Sequence, residues 1–586
     1  MTVEDDPHIR PLSHKVGFHT AVAARELARH VRDHPLFLDI RSRFDDDRIA
    51  QYLQFKMRQY APLREGPDPL PPAGVRIREH SATWWQGLRS ELKSLKSRCV
   101  RYWNRRWSGL RPAARSDRPA VIAVHYCEGV DLRRRSDIVW LPPSGIPADR
   151  VLVYLDYNGA QKRWPVFSTI PADLRERLED AGLPWAFLPR ENPTALRGRT
   201  WSPRGTAPLD RPAPPQAGPT DAVEKFIIRT ARELTAEVDY WREFFLSFNV
   251  RLLFLPNEGD PSIIAQVMAM DSLGDRGGLV LGKLRSDFGD TPEAVTGYYT
   301  RHVFFTWSER YQDYFLPPFN SVGTQVVAGH PDDHIFSSTV DSLKSLRADM
   351  ESRGASFLIA LLDTGHDPDP KAAVFSSADL EEFYRVFLEW VMTDPSVGIV
   401  IKSKKAHVIE RLPGIHSLLA SAEATGRCHN LKGPLGRHPS DASKISDFAV
   451  GCGVSSALTE AVIAGCRGVH YHKHFPQDHD YFDWDRKSGR ERLVFTDLAK
   501  LKTAIGGYRD DPAAWPGLGD WTSHLPSLDP FRDGKAAQRM GTYLRWCLEG
   551  FDKGLGRDEV LSSVNERYAA EWGEDKILKP LDKPKA

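Results

Sequence analysis

Cysteine is scarce and scattered. Cys99, Cys127, Cys428, Cys452, Cys466 and Cys547 are the six in 586 residues, and no CxxC spacing occurs among them. That excludes a zinc ribbon or a disulfide framework legible in the sequence and sets a reducing compartment, the cytoplasm, as the expected location. Long apolar runs are missing too: no window reaches the length of a membrane-spanning helix, and residues 1–30 hold no apolar core of an export signal. Net charge is nearly absent. Lys plus Arg number 79 against 78 for Asp plus Glu, so no global field recommends nucleic acid as a partner. What is present is ordinary globular composition, 41% hydrophobic and 27% charged, in a chain too long for one core. About three packed units are expected, two of them flanking a cleft.

Along the chain, apolar residues at three- and four-residue steps predict short helices between Thr20 and Met57. Between Trp84 and Arg118, Trp85, Leu88, Leu92, Leu95, Cys99 and Tyr102 recur at helical spacing beside many Lys and Arg. Such a stripe either packs on the rest of the protein or lies on an anionic bilayer, a peripheral contact at the inner face of the membrane. From Pro119 the character changes. AVIAVHY, RVLVYLDY and WAFLPR read as short strands; a long amphipathic helix from Ala222 to Phe248 leads into VRLLFLP, and GLVLGKL, HVFFTWS and TQVVAG follow. Residues 192–221, rich in Pro, Gly and Thr, read as an insert. A second alternation starts at Ser356, with strands SFLIALLD, VGIVIKS, DFAVGCG and GVHYH separated by helical segments. Alternation of this kind predicts parallel sheets with helices on both faces, an α/β fold.

The densest chemistry lies in Ser446 to His472, SDFAVGCGVSSALTEAVIAGCRGVHYH. A strand ends at Gly451, a turn containing Gly453 follows, and Ser455 and Ser456 stand where a helix begins. Free N–H groups and the positive end of that helix suit a pyrophosphate. Glu460, one turn further on, is a carboxylate able to accept from both hydroxyls of a ribose. The bland alternative is an ordinary Ser-Ser cap and a solvated Glu. After VRLLFLP, the loop Asn257-Glu258-Gly259-Asp260-Pro261 sits at a strand's carboxyl end, where Glu258 or Asp260 would deprotonate an acceptor hydroxyl; alternatively Asp260 and Ser262 cap the next helix. His366 follows SFLIALLD and would reach the cleft or remain a surface residue. HPDDH at 330–334 and HYHKH at 470–474 gather imidazoles and carboxylates, but no metal is expected there.

The Ser446–His472 segment resembles the donor-binding signature of GT-B glycosyltransferases: strand, small-residue turn, helix with a ribose-binding Glu, then Ala-Gly and the next strand. It is most similar to polysaccharide-biosynthesis transferases of the Kdo and glycerophosphate transferase kind. VGIVIKSKKAH is similar to the strand that these families end with Lys-Pro-His, with Lys402 as the matching lysine near donor phosphates; Ser403 replaces the proline and His407 is displaced. Arg492 to Ile505 resembles the segment after their last strand. The resemblance spans Ser356 to Lys553. It implies two Rossmann-like lobes: a helical extension at 1–118, an acceptor lobe at 119–350 and a nucleotide-sugar lobe at 351–586. It further implies a nucleotide-sugar donor used as substrate with no cofactor, and a glycan or lipid-linked acceptor in surface polysaccharide biosynthesis. Glu258, Asp260 and His366 are the catalytic candidates. Lys402, Gly453, Ser455, Ser456 and Glu460 are the donor-binding candidates. A nucleotide-sugar 2-epimerase of the same fold and a non-catalytic assembly scaffold are the rivals.

Overall fold

Nearly every strand in this chain is apolar on both sides, and such strands are stable only when helices cover both faces of their sheet. The computed structural model describes Leu38, Arg48 and Tyr52 and residues 119–127, 129–130, 136–156, 172–188, 222–256, 262–286, 300–315, 321–336, 341–364, 366–367, 375–404, 407–432, 438–473 and 491–578. The basic, Trp-rich stretch at 84–118 and the insert at 192–221 lie outside these residues, as does most of the N-terminal extension.

The first sheet takes β1 (Val121–His125), β2 (Val151–Asp156), β3 (Trp185–Leu188), β4 (Val250–Leu255), β5 (Leu279–Lys283), β6 (Thr300–Thr306) and β7 (Ser321–Val327). In the second half come β8 (Phe357–Leu362), a small pair β9 (His366–Asp367) and β10 (Phe375–Ser376), then β11 (Val397–Lys402), β12 (Cys428–Asn430), β13 (Phe448–Cys452), β14 (Arg467–Tyr471) and β15 (Val494–Phe495); β16 (Ile577–Leu578) comes last. Spatial order is β16-β7-β6-β5-β4-β1-β2-β3 in the first sheet and β12-β11-β8-β13-β14-β15 in the second. All pairings are parallel except that of β16 with β7. In each sheet the strand order reverses beside its first strand, the doubly wound pattern. The expected α/β fold with two Rossmann-like lobes is therefore present.

Alternation along β4 shows how the layers form. Leu252 and Phe254 enter one core and Leu253 and Leu255 the other. The described helices of five residues or more are α1 (Ala172–Asp180), α2 (Ala222–Phe248), α3 (Ser262–Asp271), α4 (Asp341–Ser352), α5 (Ser377–Thr393), α6 (His416–Ala424), α7 (Pro439–Ser443), α8 (Ser456–Ile463), α9 (Leu498–Asp510), α10 (Ala536–Asp552) and α11 (Arg557–Trp572). Trp241 of α2 and Ile264 of α3 cover one face of the first sheet. Tyr543 of α10 and Tyr568 of α11 cover the other.

That second cover corrects the sequence boundary, which placed everything from 351 onward in the second lobe. α10, α11 and β16 return to the first sheet, where Tyr543, Leu544 and Tyr568 share one core with Ile122, Leu252 and Leu281, beside Trp140 and with Leu174 and Leu178 of α1. The segment IERLPGIHSLLASA at 409–422, apolar at helical steps, is not one helix: Pro413 opens a single 3-10 turn, and the regular helix starts at His416.

Asp271, at the end of α3, fastens the returning segment. Its Oδ1 lies 2.8 Å from His302 Nε2 on β6, its Oδ2 accepts from Arg48 Nη1 at 2.6 Å, and Arg557 at the start of α11 donates to it as well. Burial pushes the carboxyl pKa up, but the His302 hydrogen bond and the neighbouring Arg48 and Arg557 outweigh it and hold the pKa well below the usual range. A depressed carboxylate stabilises the fold fully above the unfolded pKa near ~4, and that contribution is lost progressively as pH falls from there through the lower folded value. Asp271→Asn should therefore cost about 2 kcal/mol at neutral pH, less than a fully buried pair because Asp271 is partly exposed. In urea titrations the difference from wild type should narrow below pH ~4.

Candidate active site at the lobe interface

In the second sheet the order reverses between β8 and β13, so any ligand crevice lies outside the carboxyl ends of those two strands. β13 runs into Gly453, whose φ of +78° only glycine adopts freely, and Gly453 N donates to Tyr471 O at 2.7 Å. The other side of this turn is held by His470, whose Nδ1 lies 3.0 Å from Gly453 O. Burial pushes the His470 pKa down to about 4, so the ring is neutral and its Nδ1–H donates to that carbonyl. The first histidine of HYHKH thus supports a turn.

Ser455 follows in extended conformation and α8 begins at Ser456, with no side chain capping it. Ser455 Oγ is buried and has no hydrogen-bond partner. Ser455, Ser456 and Ala457 themselves are half-buried. An uncapped helix start of this kind leaves N–H groups and the positive dipole end without a protein partner.

Glu460 is only 1% exposed. Its Oε2 is 3.2 Å from His438 Nδ1 and its Oε1 is 3.9 Å from His330 Nε2. His438 precedes α7 in the second lobe, whereas His330 follows β7 in the first, so the carboxylate sits at the seam between lobes. His438 Nε2 is 3.4 Å from Asp332 Oδ2, and Asp332 N donates to His330 Nδ1 at 3.2 Å. With Nδ1 accepting, a neutral His330 ring carries its proton on Nε2, toward Glu460. Around this group Trp307 and Phe336 pack on the His330 ring with centroids 4.2 and 4.9 Å away. Among the described residues no three His, Cys, Asp or Glu are grouped so as to hold a metal ion.

On the other side of the switch point stands Asp363, just past β8. It accepts from Tyr384 Oη at 2.7 Å and from Lys404 N at 2.5 Å, which anchors the loop after β11. Burial pushes this carboxyl up to about 6, although those donors and the Lys402 charge act against the rise. Lys402 Nζ donates to Ser403 O at 2.6 Å. β8 separates β11 from β13, so Lys402 stands about 10 Å from the Gly453 turn, two strand spacings away.

Of the residues singled out from the sequence, Gly453, Ser455, Ser456 and Glu460 are thus brought together on one turn and helix. His366 lies in β9, but its side chain is outside the described residues, as is that of His407. Glu258 and Asp260 fall in residues 257–261, also outside them. The sequence reading missed His438, Asp363 and Tyr384. It saw HPDDH only as a metal candidate, whereas the structure uses it as one side of the lobe seam. His438 has a local signal, the HPSD run that opens α7, but its approach to Glu460 is a tertiary fact.

The chain is similar in structure to a UDP-GlcNAc 2-epimerase from Neisseria meningitidis bound to UDP-GlcNAc, at 13% identity over 72% of this chain and 99% of that one, with a TM-score of 0.41. It is also similar to a UDP-GlcNAc 2-epimerase from Methanocaldococcus jannaschii, at 12% identity, 72% and 99% coverage and a TM-score of 0.39. A glycosyltransferase from Rickettsia africae gives 8% identity, 78% and 99% coverage and a TM-score of 0.35. No family model matches the chain, and no curated protein matches it in sequence.

Behind the seam, Asp333 Oδ1 and Oδ2 accept from Ala536 N, each at 3.2 Å, at the start of α10. Burial, and then the nearby Asp529 charge, push the Asp333 carboxyl up to about 7. The folded chain therefore keeps a proton that the unfolded chain releases near pH ~4, so the stability it brings is complete below that value and is lost as pH rises through about 7. Asp333→Asn should flatten this part of the stability profile and leave the variant more stable than wild type by roughly 3 kcal/mol above pH 8, as read by urea unfolding across pH 4 to 8.

Proposed function

We propose that the chain is a nucleotide-sugar-dependent glycosyltransferase that moves a sugar to a glycan or lipid-linked acceptor in surface polysaccharide biosynthesis. The observation that carries this reading is the uncapped start of α8 at the switch point of the second sheet, with the buried, unpartnered Ser455 Oγ beside it. A donor diphosphate there would accept from the first N–H groups of α8 and from the Ser455 hydroxyl, with the positive dipole end and the Lys402 ammonium balancing its charge. Glu460, one helical turn along, would take the ribose hydroxyls in place of His438. Glu258 or Asp260 would deprotonate the acceptor hydroxyl, with His366 reaching the same space. Stabilising the departing nucleoside diphosphate is the main catalytic task of such a site, and fixed amide dipoles meet it without reorganisation. The likeness of Ser446–His472 to polysaccharide-biosynthesis transferases supports the acceptor class.

A second reading is favoured by the proton carriers at the seam. His330 and His438 flank Glu460, with Asp332 behind His438, and epimerisation at the sugar of a nucleotide sugar needs an acid and a base there. UDP-N-acetylglucosamine supplied alone separates the two, since an epimerase converts it to UDP-N-acetylmannosamine or, with water, to UDP and N-acetylmannosamine, while a transferase waits for an acceptor. A non-catalytic scaffold would bind no nucleotide at all.

The test is a thermal-shift titration with UDP-, CMP-, CDP-, GDP- and dTDP-linked ligands, since a ligand of the folded state raises the melting temperature by mass action. One nucleotide class should give a shift that Glu460→Ala removes. Ser455→Asp provides the control for folding: aspartate caps a helix as well as serine does, yet its charge repels a phosphate. A full shift surviving Ser455→Asp would refute the site.

A further inference from the structure

Lys283 ends β5, an interior strand of the first sheet, and is only 1% exposed. Its Nζ is cut off from solvent and has no hydrogen-bond partner. Strand alternation puts the side chain on the face of Leu279 and Leu281, the face that α10 covers. There the turn after β7 brings His334 within reach of its charge: burial, then the His438 and Lys283 charges, push the His334 imidazole below its ordinary pKa against the opposing charge of Asp332. The described carboxylates of this region are engaged elsewhere: Asp332 with His438 at 3.4 Å, Asp333 with Ala536 N, Asp529 with His330 N, and Asp533 with Arg539 at 3.0 Å. A buried ammonium whose nitrogen makes no hydrogen bond is strongly unfavourable, and it persists where function supplies the missing acceptor. Its location agrees, because ligands of doubly wound sheets lie outside the carboxyl ends of the strands.

We propose that Lys283, with His334 beside it, receives an oxyanion, a phosphoryl or carboxyl group, carried by the second substrate that enters from the first lobe. The inference rests on the transferase reading only for the word substrate; the anion site stands on Lys283 itself. A compact ammonium with three donors suits one oxygen-rich group, and a neutral half-buried imidazole adds a further donor. The acceptor would thus be an acidic or phosphorylated molecule, and the site would hold that charge away from the donor diphosphate on α8.

The experiment is a thermal-shift titration of the full chain with inorganic phosphate and, separately, with acetate, each with and without saturating UDP. In wild type, phosphate, acetate or both should raise the melting temperature, and should do so with UDP bound; phosphate alone assigns a phosphoryl group, and an acetate response assigns a carboxyl. Lys283→Met should melt at or above the wild-type temperature without ligand, because it removes a buried unpaired charge. It should also lose the anion response while keeping any UDP response. His334→Gln, milder in its effect on folding, should weaken the anion midpoint by ~10-fold. An unchanged anion response in Lys283→Met, or no response to either anion in wild type, overturns the site. A UDP response that is absent while the Lys283-dependent anion response persists counts against the transferase reading and leaves the anion site standing.

Discussion

The close approach of α8 to the second sheet is the constraint from which the candidate site follows. Leu458 of α8 packs directly over the backbone of β13 and β14, where a Cβ on Gly451 would stand 2.9 Å from Leu458 Cβ and a Cβ on Gly468 would stand 2.7 Å from its Cδ1. Only glycine at both positions lets the helix lie this low. The same contact aims the start of α8 at the carboxyl end of β13, and the positive φ of Gly453 makes the turn short enough to reach it. His470 and Tyr471, on the neighbouring strand, then hold both sides of that turn. Backbone geometry, more than any single side chain, places the N–H groups.

The lobes meet across two kinds of contact. An apolar seam joins Leu284, Phe304 and Trp307 of the first lobe to Ala449, Leu458 and Trp521 of the second. Beside it lies the polar group of His330, Asp332, His438 and Glu460, and Lys444 Nζ donates to Ile335 O across the same boundary. Buried polar groups need their partners in place, so this cluster ties the relative position of the lobes to the state of Glu460. The return of α10 and α11 to the first sheet, fastened by Asp271, makes the chain cross between lobes a second time.

Much of the fold was legible in advance for a simple reason. Strands such as VRLLFL and SFLIALL carry apolar residues on both sides, a pattern that only a doubly covered parallel sheet accommodates. β12, β15 and β16 escaped because two or three residues show no period. In the site, Gly453, Ser455, Ser456 and Glu460 could be named because one strand, turn and helix carry all four. Asp363, His438 and Lys283 could not, since each gains its meaning from a residue far away in sequence or from the lack of any partner.

Sequence alone determined the alternation of strands and helices, the two-lobed α/β class and the strand-turn-helix around Ser455, because these rest on local periodicity and on the backbone freedom of glycine. Tertiary structure alone decided that the last helices rejoin the first lobe, that Glu460 is enclosed by histidines from both lobes, and that the Lys283 Nζ is buried without a hydrogen-bond partner. Burial and charge pairing depend on which distant surfaces meet, and no local pattern encodes that.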